Sequence, residues 1–65
     1  MLTLHQVIDK LESDGFITPN EREELRHLLG IDFTDFPVDI DSKGDVWLYR
    51  RGRFPEQYKG YANDV

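Results

Sequence analysis

The side chains best suited to chemistry crowd the second half of the chain, where Trp47, Tyr49, Arg50, Arg51 and Arg53 fall close together. Guanidiniums beside aromatic rings suit phosphate contact, base stacking or an acidic protein surface. A plainer role is open to the same arginines, which can pair with Asp32, Asp35, Asp39 or Asp41 across a hairpin and balance the acidic half. An exposed Trp and Tyr on a strand need cover, for which Tyr58 and Tyr61 are at hand, or else they mark an interface, where aromatics and Arg are enriched. The second group is acidic: Asp9, Glu12, Asp14, Glu21, Glu23 and Glu24. It reads as a solvated surface, or as a phosphate-like array fitted to the basic groove of a nucleic-acid-handling protein.

Other chemistries find little support in the residue types. Asp39-Ile40-Asp41-Ser42-Lys43-Gly44 resembles the opening of an EF-hand calcium loop, but Lys43 stands at the fifth position and Arg50 at the twelfth, where oxygen ligands belong. A hairpin turn is the better reading. His5 and His27 have no second His or Cys at helical spacing to complete a metal site. Ser13 and Ser42 sit beside helix-end and turn signals, where hydroxyls bond the backbone, and no Gly-x-Ser-x-Gly elbow surrounds either. With no cysteine there are no disulfides and no thiol chemistry. A 65-residue chain also lacks walls for a deep substrate pocket. The expectation is a non-enzymatic protein without cofactor or metal.

The elements that carry these groups are legible in the spacing. Leu4, Val7, Ile8 and Leu11 follow i, i+3, i+4, i+7 and share one helical stripe, predicting a helix over 4–13. Thr3 with Gln6 forms a capping-box pattern at its start, and Gly15 supplies a left-handed stop. Thr18-Pro19-Asn20-Glu21 opens a second helix over 19–29, with Leu25, Leu28 and Leu29 as its buried stripe, its acids early and Arg26 and His27 late, as the helix dipole favours. Phe16 and Ile17 plug the open end between the helices. From Val38 the period becomes two. A two-residue loop at Lys43-Gly44 would oppose Ile40 and Trp47, whereas a three-residue loop with left-handed Gly44 opposes Ile40 to Val46 and Val38 to Leu48. The second is preferred, because it gathers four aliphatics on one face and leaves Asp39, Asp41, Trp47 and Tyr49 on the other. The result is an α+β fold, ααββ, as a single domain over residues 1–55 with a C-terminal tail over 56–65.

Residues 7–30, centred on Gly15-Phe16-Ile17-Thr18, resemble the short helical hairpin family called SHOCT, which shows a similar order of Leu, Gly-x-Ile-Thr, Glu and Leu-Leu. That likeness implies a helix–turn–helix and nothing about function or site residues, since SHOCT modules usually end a longer chain and here a β-hairpin follows.

Charge and size set the class of partner. The net charge of −5 is unevenly spread, with ten acids against Lys10, Arg22 and Arg26 in residues 1–42 and an excess of bases thereafter. Such a chain is no general nucleic-acid coat, which needs excess Lys and Arg. No apolar run approaches the roughly 20 residues of a membrane span, and the start lacks the pattern of a signal peptide, so a soluble, cytoplasmic protein is expected, without membrane association. The reading is a small acidic regulator or inhibitor that binds a protein, of the sort phages and mobile elements encode, with a nucleic-acid-handling host protein as one candidate partner. Its contact residues would be Trp47, Tyr49, Arg51, Arg53, Asp39 and Asp41 on the hairpin and Glu21 and Glu24 on the helix. The alternative is a winged-helix-like nucleic-acid binder, against which Glu21, Glu23 and Glu24 on the reading helix count. Homodimerisation through the hairpin edge is compatible with either.

Overall fold

Both helices begin on side chains that close their own free backbone donors. In α1 (Leu4–Ser13) the Gln6 amide donates to Thr3 Oγ1 at 3.2 Å while the Thr3 amide donates to Gln6 Oε1 at 2.8 Å. In α2 (Pro19–Leu29) Glu21 and Thr18 make the same reciprocal pair at 3.1 and 3.0 Å, with Pro19 in the first turn. The stops differ. After α1, Gly15 takes φ +83° and the amides of Phe16 and Gly15 donate to the carbonyls of Leu11 and Glu12, a Schellman closure. After α2, Gly30 stays right-handed at φ −76°.

The computed structural model describes residues 1–31 and 36–63. Its two helices are followed by a three-stranded antiparallel sheet in the order β1 (Val38–Ile40), β2 (Val46–Leu48), β3 (Glu56–Tyr58). Strand β1 meets β2 with Val38 opposite Leu48 and Ile40 opposite Val46, the register that a three-residue loop requires. The Asp41 amide donates to the Asp45 carbonyl, the Gly44 amide returns to the Asp41 carbonyl, and Gly44 sits at φ +85°.

The third strand is the main departure from ααββ. It falls in the stretch that reads as a tail, and it pairs with β2 through Val46–Tyr58, Trp47–Gln57 and Leu48–Glu56. Glu56-Gln57-Tyr58 carries no β-branched residue and no apolar alternation, so nothing local announces a strand. Long-range partners make it one. Tyr58 packs against Phe16 and Tyr61 at ring-centroid distances of 4.9 and 5.5 Å. Beyond it, Ala62 is completely buried, accepts from the Leu2 amide at 2.6 Å and donates to the Gly44 carbonyl at 2.9 Å. One residue thus ties the start of the chain to the hairpin turn.

The core collects Val7, Ile8 and Leu11 from α1, Ile17, Leu25 from α2, Val38, Val46 and Leu48 from the sheet, and Ala62, with no buried polar side chain among the described residues. Each fully buried Val, Leu or Ile contributes about 1.5–3 kcal/mol of transfer free energy. The aliphatic strand face therefore does cover the helices, with Ile40 half-buried at its margin. The expected stripe on α2 is only partly interior: Leu25 is buried, whereas Leu28 and Leu29 are half-buried. The reason is positional. Helix α1 lies against both α2 and β1, while α2 comes close only to α1 among the described elements. Among the described residues, a cleft is left between α2 and the sheet.

Candidate functional site

Two turns join the three strands, and their side chains go to different uses. In the β1–β2 turn, Asp41 faces inward upon its own loop: Oδ1 accepts from the Lys43 and Asp45 amides at 2.9 and 3.0 Å, and Oδ2 lies 3.5 Å from the Trp47 indole nitrogen. Partial desolvation raises the Asp41 carboxyl, but those two amides, the indole and the Lys43 ammonium together outweigh it and hold the group below its ordinary 3.8. Asp45 is similarly engaged, accepting from the Gly60 amide at 2.8 Å and facing Gln57 Nε2 at 3.4 Å. Asp41 and Trp47, expected at a contact face, are thus joined to each other. Trp47 is half-buried in the central strand, flanked by Asp39 on β1 and Gln57 on β3.

The β2–β3 turn is built the other way. The Tyr49 amide extends the sheet by donating to the Pro37 carbonyl at 2.7 Å, and Arg50 is anchored. Its Nε lies 3.3 Å from Glu56 Oε1, and its guanidinium donates to the Phe16 carbonyl. The chain then reverses, closed by the Arg53 amide to the Arg50 carbonyl at 3.2 Å, with Gly52 at φ +75° while Arg51 keeps a negative φ, the pattern of a type II turn. Arg51, Arg53 and Phe54 are carried outward, and Phe54 is 94% exposed. Neither Arg51 nor Arg53 has an ion-pair partner among the described residues. Pairing with Asp32 or Asp35 lies outside those residues. Tyr49, at 45% exposure, stands at the root of the turn.

Beside this turn lies a cleft of about 350 Å³. Its floor is Leu25, Leu28, Leu48 and Pro37; Glu21 and Glu24 form one rim, and Tyr49, Arg50 and Arg51 form the other. An open groove of about 690 Å³ continues past Tyr49 to Phe36, Val38 and Asp39. The structure therefore brings Tyr49, Arg51, Glu21 and Glu24 to one place, with Asp39 adjoining and Arg53 on the neighbouring turn. Trp47 and Asp41 line neither space.

The acidic helix surface is mostly committed to the fold. Asp9 pairs with Arg26 at 3.2 Å, Glu12 with Arg22 at 3.6 Å, and Glu23 with Arg22 at 3.1 Å. Asp14 accepts from the Tyr61 hydroxyl, and Glu21 caps its own helix. Of the six acids only Glu24 has no partner among the described residues. The Tyr61 phenol is pushed well above its ordinary range, first by burial, then by the hydrogen bond and charge of Asp14 and the proximity of Tyr58. Tyr58 is raised too, by burial and by Glu56, with Arg50 pulling the other way. Lys10 lies 4.2 Å over the Tyr61 ring and donates to its carbonyl at 3.0 Å, so this corner holds the C-terminal segment against α1.

Sequence reasoning missed Phe54 and Leu28. For Phe54 a signal existed, since a large apolar residue between Arg53 and Pro55, just after Gly52, has no periodic partner to bury it with. Leu28 sits on an apolar stripe, and only the separation of α2 from the sheet turns it into the floor of a cleft.

No group of three or more His, Cys, Asp or Glu that could hold a metal ion occurs among the described residues. None of their helices is long and apolar enough to cross a membrane. Comparison with protein-family models, with curated proteins and with solved structures finds no match, so the likeness of residues 7–30 to SHOCT stands on the sequence pattern alone.

Proposed function

We propose that this chain is a small non-enzymatic protein-binding regulator or inhibitor that engages its partner through the Tyr49–Pro55 turn and the adjoining cleft. The observation that carries this reading is Phe54, almost wholly exposed between a proline and an arginine on a turn whose other outward groups are cations. An apolar ring ringed by Arg is the composition of an interface hot spot, and Arg favours an acidic partner surface. The contact residues are Tyr49, Arg51, Arg53 and Phe54, with Glu24 opposite. The scale of the chain, its acidity and its spare surface chemistry fit the regulators and inhibitors that phages and mobile elements encode.

The test is affinity capture at physiological salt with the native chain and with a Phe54→Ala/Arg53→Glu variant. A specific protein held by the first and lost by the second is expected; recovery of none, or equal recovery by both, contradicts the proposal. A nucleic-acid reading draws on the same turn, since Arg51 and Arg53 beside Tyr49 and Phe54 suit phosphates and stacked bases. Glu21 and Glu24 across the cleft oppose it. A salt-dependent shift with a single-stranded oligonucleotide would favour that reading, and its absence removes it.

A further inference from the structure

The cleft and the exposed ring are complementary to each other, although they belong to one chain. The cleft offers about 350 Å³ over an aliphatic floor that includes Leu25, Leu28 and Leu48, with an acidic rim. Phe54 offers an aromatic ring at 94% exposure, and its neighbour Arg53 offers an exposed cation. Glu24, on the acidic rim, has no ion-pair partner among the described residues.

We infer that two copies of this chain pair about a two-fold axis, each inserting Phe54 into the α2–β2 cleft of the other while Arg53 meets the partner's Glu24. Three features favour a second copy as the occupant. The face carries both signs, acid on the helix rim and base on the strand rim, and a two-fold rotation sets each rim against its opposite. Plug and socket also adjoin, since Arg51 lines the cleft and Phe54 follows on the same turn, so both insertions can form in one contact. Finally, the ring meets an apolar floor, which rewards burial without leaving a polar group unpaired. The interface is small, and the net charge of −5 on each copy opposes association at long range, so the dimer is in concentration-dependent exchange with monomer. This inference goes beyond the proposed function and does not depend on it, because a chain that never dimerises can still present the same turn to another protein.

Sedimentation of the full chain across a concentration series, from about ten micromolar to about one millimolar around the affinities typical of small interfaces, tests it. The 7.7 kDa chain is expected to move reversibly toward twice its mass and no further. Phe54→Ala should weaken dimerisation at least tenfold while leaving the circular dichroism melt unchanged at concentrations where both chains are monomeric, since Phe54 is 94% exposed. Glu24→Arg and Arg53→Glu should each weaken it, and the double variant should recover part of the loss, which damage to the fold cannot produce. A chain that stays monomeric throughout overturns the inference. So does a dimer indifferent to Phe54→Ala, the outcome expected of pairing along the β1 edge, or growth beyond dimer, which shows that the contact does not close.

Discussion

The turn from β1 to β2 and the turn from β2 to β3 both reverse the chain around a left-handed glycine, yet one is consumed by the fold and the other is left over. At the first, Asp41 spends its oxygens within the loop and Asp45 on the distant Gly60 amide and Gln57, and the C-terminal segment reaches the turn through Ala62 to Gly44 and Asn63 to Lys43. At the second, among the described residues only the Arg50 side chain is tied inward, and Arg51, Arg53 and Phe54 are exposed. The difference teaches that charge and aromatic content alone do not mark a site. What marks it is chemistry the fold does not use.

That contrast can be broken at either glycine. A Cβ on Gly44 would collide with the Asn63 side-chain amide, in addition to the left-handed backbone strain. Gly44→Ala should therefore destabilise by about 2–3 kcal/mol, combining the backbone term with loss of the Asn63–Lys43 hydrogen bond. Gly52 has the same backbone demand but open space around its Cβ. Gly52→Ala should cost only about 1 kcal/mol, and urea melts of the two variants give both numbers. If they destabilise equally, the C-terminal clamp on the first turn is not real.

The next effects are titrations. Asp41 has a folded-state pKa below its unfolded value, so its contribution is present above ordinary carboxylate pH and is lost as pH falls through the folded value. Asp41→Asn should flatten the acid limb of the stability profile measured by thermal melts below about pH 4. Tyr58 and Tyr61 are shifted the other way, so the stability they add is full below the unfolded pKa near 10.0 and fades as pH rises through their higher folded values. Spectrophotometric titration should show phenol ionisation extending above the ordinary 10.0, and Tyr61→Phe should remove a phenol that titrates above that value. The smallest expected change is in the other turn: Phe54→Ala should alter stability by less than about 0.5 kcal/mol.

Much of the scaffold was readable from spacing. Thr3 and Thr18 fixed the helix starts, Val7, Ile8 and Leu11 the buried stripe of α1 with Leu4 half-buried at its end, and Gly44 the hairpin register. Those are local or period-bound signals. Strand β3 was not readable, because Glu56-Gln57-Tyr58 becomes a strand only through β2 and through Phe16 and Tyr61, contacts that join distant residues. The grouping of the candidate site was half legible. Tyr49, Arg51 and Arg53 stood out by type, but the sequence could not show that Asp41 would hold Trp47, that Arg50 would hold Glu56 and Phe16, or that among the described residues all of the acidic set but Glu24 would be paired. Those assignments depend on which elements meet, and α2 parting from the sheet is what makes Leu28 a cleft floor instead of core.

The central claim is that the Tyr49–Pro55 turn serves binding and the Asp41–Asp45 turn serves the fold. The most direct measurement takes a thermal melt and a capture experiment on each of two variants, Phe54→Ala/Arg53→Glu and Gly44→Ala. The account predicts that the first melts with the native chain and loses its partner, while the second melts lower and, below its melting temperature, keeps it. A first variant that unfolds early, or one that retains its partner as the native chain does, would contradict it.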